Sequence, residues 1–125
     1  ASDVYKRQEI VRACTECIAY QIMDIVQAMS QDAGLDAVQL RVDGGPTKNQ
    51  YLMQFQSDVL DAEVLVPDAE ELSGIGAAYA AGIALGVFAP DVFEQMKRER
   101  YTPKMAAGRR VKKIGGWKEA VGKVL

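Results

Sequence analysis

Val38-Gln39-Leu40-Arg41-Val42-Asp43-Gly44-Gly45-Pro46-Thr47-Lys48-Asn49 decides the fold of this 125-residue chain. Val38, Leu40 and Val42 alternate with Gln39, Arg41 and Asp43, the period-two pattern of a strand. The strand must stop at the paired glycines. Thr47 is placed to cap a helix, because Leu52, Phe55 and Val59 then recur at helical spacing as far as about Leu60. A strand ending in glycines just before a helix is how phosphate sites are built. The glycines let the backbone approach a nucleotide, and the helix start offers unpaired N–H groups and a positive dipole end. Asn49 sits one turn inside with an amide side chain. The same Asp-Gly-Gly text is ordinary turn chemistry, and the pattern alone leaves both readings open.

Upstream, Val11, Cys14, Ile18, Ile22, Ile25 and Met29 step by three or four between Glu9 and Met29, the stripe of an amphipathic helix. Gly34 can take the left-handed conformation that closes it. Downstream, Glu63 to Val66 is a second short strand ended by Pro67, and Ser73 is placed to cap a third helix. Gly74, Gly76, Ala77, Ala78, Ala80, Ala81, Gly82 and Ala84 leave that helix almost free of side chains, so another backbone or a flat ligand can come close. Asp91 to Arg100 is expected to be a charged helical piece and Lys104 to Lys113 a basic irregular stretch. A last short helix is expected around Trp117 to Val121. The order helix, strand, helix, strand, helix defines an α/β unit with parallel strands joined by right-handed crossovers. Two strands cannot cover three amphipathic helices. The chain, which starts at Ala1, is therefore expected to self-associate as a homo-oligomer or to lack strands that a longer protein supplies.

Composition excludes several functions. With 49% hydrophobic and 26% charged residues the chain can build one real core. Fifteen Lys plus Arg against 17 Asp plus Glu give a net charge of -2, so no global positive field draws in nucleic acid. Leu72 to Pro90 is too rich in Gly and Ala to span a bilayer, and no secretory leader is expected. There is no histidine, which removes Ser-His and Cys-His pairs and the commonest zinc ligand. Cys14 and Cys17 form a C-x-x-C inside a helical pattern and are expected to be buried, reduced thiols of a cytoplasmic protein.

No P-loop pattern is present, and Gly74-Ile75-Gly76 fails as a dinucleotide fingerprint because Tyr79 stands where the third glycine belongs. The Lys104, Arg109, Arg110, Lys112 and Lys113 cluster is expected to be a solvated basic face. Asp24, Asp58, Asp61, Glu63, Glu70 and Glu71 fall into no catalytic pattern, and most are expected at the surface.

Leu40-Arg41-Val42-Asp43-Gly44-Gly45, then Asn49, then Leu52-Met53-Gln54-Phe55-Gln56-Ser57-Asp58 resembles the C-terminal domain of the FGGY carbohydrate kinase family, and within it the glycerol kinases. The likeness continues through Glu16-Cys17-Ile18-Ala19-Tyr20-Gln21, Gly76-Ala77-Ala78-Tyr79-Ala80-Ala81-Gly82 and Gly116-Trp117-Lys118-Glu119-Ala120-Val121. It covers residues 9–125 and leaves 1–8 unmatched. The resemblance implies part of a ribonuclease-H-like, actin-like ATPase domain. It implies ATP or ADP bound at Gly45 and Asn49, with Gly44 the adjoining glycine, magnesium carried by the nucleotide, and the small-residue helix beneath or beside it. The implied reaction is transfer of the γ-phosphate of MgATP to glycerol. Catalytic residues and substrate contacts would lie outside this chain, leaving it inactive alone. Pro46-Thr47-Lys48 replaces smaller apolar residues of the family. A kinase for another polyol or a sugar such as xylulose, or a non-catalytic interaction domain on the same fold, are the alternatives.

Overall fold

The computed structural model describes residues 2–68, 72–94 and 97–125. The elements are α1 (Ser2–Ala33), β1 (Gln39–Arg41), α2 (Gln50–Leu60), β2 (Glu63–Pro67), α3 (Leu72–Ala84), β3 (Arg98–Tyr101) and α4 (Ala107–Val124), with 3-10 turns at Gly45–Lys48 and Pro90–Phe93. The predicted pair β1 and β2 is parallel, Leu40 opposite Val64. A third strand extends the sheet on the other side of β2: β3 runs antiparallel, with Leu65 opposite Arg100. Arg98-Glu99-Arg100 was expected to be helical. Its charges suit an edge strand: Glu99 and Arg100 are exposed, and charged side chains at an edge deter further pairing. β2, between two neighbours, buries Val64, Leu65 and Val66 in succession.

The core lies between α1, α2 and the sheet. Ala19, Tyr20 and Met23 of α1 meet Leu52, Phe55 and Val59 of α2, with Val64 and Val66 beneath. Met23 is fully buried, so Met23→Ala is expected to cost about 2–5 kcal/mol through the cavity it leaves. The face of α1 turned to this core is Glu16, Ala19, Tyr20 and Met23. That is not the stripe periodicity marked. Val11 is 65% exposed, Ile18 46%, Ile25 60% and Met29 65%. Spacing identifies a helix but cannot say which of its faces this chain covers. Cys14 likewise is exposed and Cys17 half-buried, both as free thiols.

Helix ends follow the backbone logic of their sequences. Gly34 (φ 66°) closes α1 as expected, its N–H donating to Gln31 O while the Leu35 N–H reaches Ser30 O. Gly86 (φ 76°) closes α3 in the same way, through Gly86 N–H to Ile83 O and Val87 N–H to Gly82 O. Gly82 lies under the Phe88 ring, where a Cβ would clash, and Tyr79 meets Phe88 edge-on at 5.5 Å. The predicted cap Ser73 falls inside the first turn of α3, since the helix already starts at Leu72.

The basic stretch is not irregular: Lys104 to Met105 leads into α4, an 18-residue helix. Asp58 organises this entry. Its Oδ1 accepts from Lys104 N–H (2.8 Å), Met105 N–H (3.2 Å) and Gln54 Nε2 (3.0 Å), and its carbonyl accepts from Arg110 Nε (2.6 Å). Ser57 Oγ donates to Ala62 O and Tyr101 O. Asp58 is therefore buried rather than at the surface, and Arg110, also bridged to Asp61 at 3.1 Å, is turned inward. Glu63 is half-buried and Asp24 and Asp61 are exposed. Glu70 and Glu71 lie outside the described residues.

Candidate nucleotide-binding turn

β1 continues one residue past its end, because Val42 N–H donates to Leu65 O at 3.0 Å, and this pins the start of the glycine turn to the sheet. Gly44 then takes φ 102°, ψ 173°, a conformation open essentially to glycine alone. Its carbonyl accepts from both the N–H (3.1 Å) and the hydroxyl (2.6 Å) of Thr47, so Thr47 locks the turn rather than capping α2. Pro46 sits at the start of the 3-10 turn, where its missing N–H costs nothing. The cap of α2 is Asn49, whose Oδ1 accepts from Leu52 N–H at 3.1 Å. Sequence spacing misplaced the cap by two residues because a 3-10 turn intervenes between the glycines and α2.

This geometry brings Gly44, Gly45 and Asn49 together at one exposed corner. The N–H groups of Gly44 and Gly45 have no hydrogen-bond partner among the described residues. A Cβ built on Gly45 meets no atom within 4 Å, so the space before it is open. Asn49 commits its oxygen to the cap, and its amide N–H groups have no acceptor among the described residues. The corner can therefore present several donors to an anionic or amide-accepting ligand. α3 packs on Phe88 and the turn at Pro90–Phe93.

Beside Asn49 opens a groove of about 470 Å³ between the N-terminal half of α1 and the start of α2, lined by Arg7, Val11, Arg12, Thr15, Asn49 and Tyr51 among others. Sequence inspection did not connect these residues, because no local pattern reports that α1 and α2 lie side by side. Behind the groove, Glu16 ties three elements together. Its Oε1 accepts from Tyr51 Oη (2.7 Å), Arg12 Nε (3.1 Å) and Lys113 Nζ (3.3 Å). Burial pulls the Glu16 carboxyl upward, but the Tyr51 hydrogen bond with the charges of Lys113 and Arg12 outweighs it and holds the group below its ordinary range. Burial, then the hydrogen bond to Glu16 and its charge, push the Tyr51 hydroxyl up to about 12. Tyr51 is thereby held neutral as a donor, two residues from Asn49. Glu16 was absent from the candidate carboxylates of the sequence, and only its place in Glu16-Cys17-Ile18-Ala19-Tyr20-Gln21 signalled it.

A sheet that delivers a glycine turn to an exposed corner, with helices packed beside it, defines an α/β domain. Residues 2–85 match the FGGY family of carbohydrate kinases, C-terminal domain, and the chain belongs to that family. The fold is the ribonuclease-H-like fold of that domain. Among solved structures the chain is similar to Plasmodium falciparum glycerol kinase with ADP, at 33% identity and a TM-score of 0.85 over 95% of this chain. The chain spans 24% of that chain's length.

Proposed function

We propose that residues 9–125 form part of the nucleotide-binding half of a kinase that passes the γ-phosphate of MgATP to the hydroxyl of glycerol. Gly44, Gly45 and Asn49 form one wall of its ATP or ADP site. The observation that carries this is the corner itself: two glycine amides with no partner among the described residues and an amide side chain, with open space in front of Gly45. Support for the nucleotide comes from the ADP of the similar glycerol kinase, and support for glycerol from the same relative. Another polyol or sugar is the competing substrate.

Phosphoryl transfer needs a positioned nucleophile, metal-bound phosphates and charge stabilisation at once. Bound nucleotide supplies the transferable phosphoryl group and carries magnesium. This chain's share is binding and orientation: glycine N–H groups facing phosphate or ribose oxygens, and Asn49 Nδ2 facing an acceptor. The chain alone is then inactive, and a coupled ADP-release assay with glycerol is expected to show no turnover. Among the described residues no helix is long and apolar enough to cross a membrane, and a cytoplasmic enzyme is the proposed setting. The apolar stripe of α1 favours association with a further copy or with more kinase polypeptide.

The test is a titration with magnesium and ADP followed by amide NMR, on this chain and on Gly45→Val. Saturable shifts at Gly44, Gly45 and Asn49 that disappear in the variant are expected. Unchanged spectra up to millimolar nucleotide would remove the site from this chain.

A further inference from the structure

A second groove, of about 830 Å³, runs between α1 and α4, and none of its lining residues belongs to the glycine turn. Its floor is aromatic: Tyr20 and Trp117 stack with ring centroids 5.1 Å apart and planes 10° from parallel. The indole is fixed by its N–H, which donates to Asp24 Oδ2 at 2.8 Å. Gly108 and Gly116, facing the gap from α4, leave the groove wide. Its charge is one-sided. Arg109, Lys112 and Lys113 line it against the single carboxylate of Glu16, a surplus of two positive charges on a chain whose net charge is -2. Lys113 is already committed to Glu16 at 3.3 Å. Arg109 and Lys112, three residues apart on one face of α4, are exposed and have no ion-pair partner among the described residues.

Helix residues three apart are neighbours, so the guanidinium and the ammonium can converge on one anion. Arginine offers a planar fork that matches phosphate or carboxylate oxygens, and lysine adds a point charge. The volume falls in the range of small-molecule sites, which pair an apolar wall with a few placed polar groups. We propose that the α1–α4 groove binds a small organic anion, its phosphate or carboxylate held by Arg109 and Lys112 and its flat apolar body laid against Trp117. This site is independent of the glycine turn and stands whether or not that turn binds nucleotide.

Trp117 is the only tryptophan, so its indole N–H gives one isolated NMR signal inside the groove. Phenyl phosphate is the probe, with inorganic phosphate and benzyl alcohol as its two halves. The expected result is a saturable shift of the indole N–H and of the Gly108 and Gly116 amides, with phenyl phosphate at least about tenfold tighter than either half. Combining Arg109→Ala with Lys112→Ala weakens it at least about tenfold without moving the thermal midpoint, since both side chains are exposed and unpaired. In the unaltered chain, raising salt from about 0.02 M to about 0.5 M weakens binding as well, a readout that needs no variant. Any of three results overturns the proposal: no saturable indole shift up to about 10 mM phenyl phosphate, equal affinity for benzyl alcohol, or shifts confined to Gly44 and Gly45.

Discussion

Asp43–Asn49 and Leu52–Asp58 follow one another in the chain, and they spend their polar groups in opposite directions. In the first, the amides of Gly44 and Gly45 have no internal partner among the described residues and the space before Gly45 is open. In the second, Gln54, Ser57 and Asp58 are turned inward and hold the Tyr101–Met105 segment, and with it the start of α4. Gln56, fully buried, donates to Ala19 O and ties α2 to α1. Both blocks carry the family likeness. One leaves amide donors without a partner among the described residues, and the other holds the scaffold beside them, so likeness to a kinase does not give each matching residue the same role.

The largest expected effect falls on the inward block. Asp58→Ala removes three hydrogen bonds and strands the Lys104 and Met105 amides, so it is expected to cost about 3 kcal/mol in urea unfolding and to loosen α4, read from Trp117 emission. A cost under about 1 kcal/mol would erase the contrast. Gly44→Ala should come next, at about 1–3 kcal/mol, because φ 102° with ψ 173° strains any residue with a Cβ. The turn would then be rigid by design of its backbone. Glu16→Gln is expected to cost about 1 kcal/mol at neutral pH, since one amide oxygen replaces a charge that three donors share.

The pH dependence sharpens that third case. The folded Glu16 carboxyl sits below its ordinary value of 4.5, so its contribution is present above that value and is lost as pH falls through the depressed one. The gap between wild type and Glu16→Gln should therefore close in acid. Tyr51 has the opposite sign. Its folded value near 12 lies above the ordinary 10, so its contribution is complete below pH 10 and is lost as pH rises toward about 12. Tyr51→Phe should abolish that alkaline loss, as measured by urea midpoints across the range. The smallest effect is expected at Gly45→Ala, within about 0.5 kcal/mol of wild type, because its Cβ meets nothing. Stability that is unchanged while ADP shifts are lost would separate an open site from a structural turn.

Local chemistry was legible because it is written in neighbours along the chain. Alternation from Val38 to Val42 gave β1, Gly34 gave the end of α1, and Glu63 to Val66 gave β2, which runs one residue further to Pro67, each from backbone preferences that need no distant partner. Arg98–Tyr101 was not legible as a strand, because what makes it one is the row of unpaired groups on β2, 30-odd residues away in sequence. Asn49 was singled out for its side chain, whereas its capping role depended on a 3-10 turn that spacing did not reveal.

The sequence by itself determined the strand-glycine-glycine-helix order, which follows from short-range geometry and residue type, and its resemblance over several ordered blocks pointed to the kinase family and to the residues of the candidate corner. Tertiary structure alone decided which face of α1 is buried, that Asp58 and Glu16 are internal anchors, and that α1 and α4 enclose a groove lined by Arg109, Lys112 and Trp117. Periodicity fixes the angle between side chains on one helix, but burial and ion pairing depend on what the rest of the chain places opposite them.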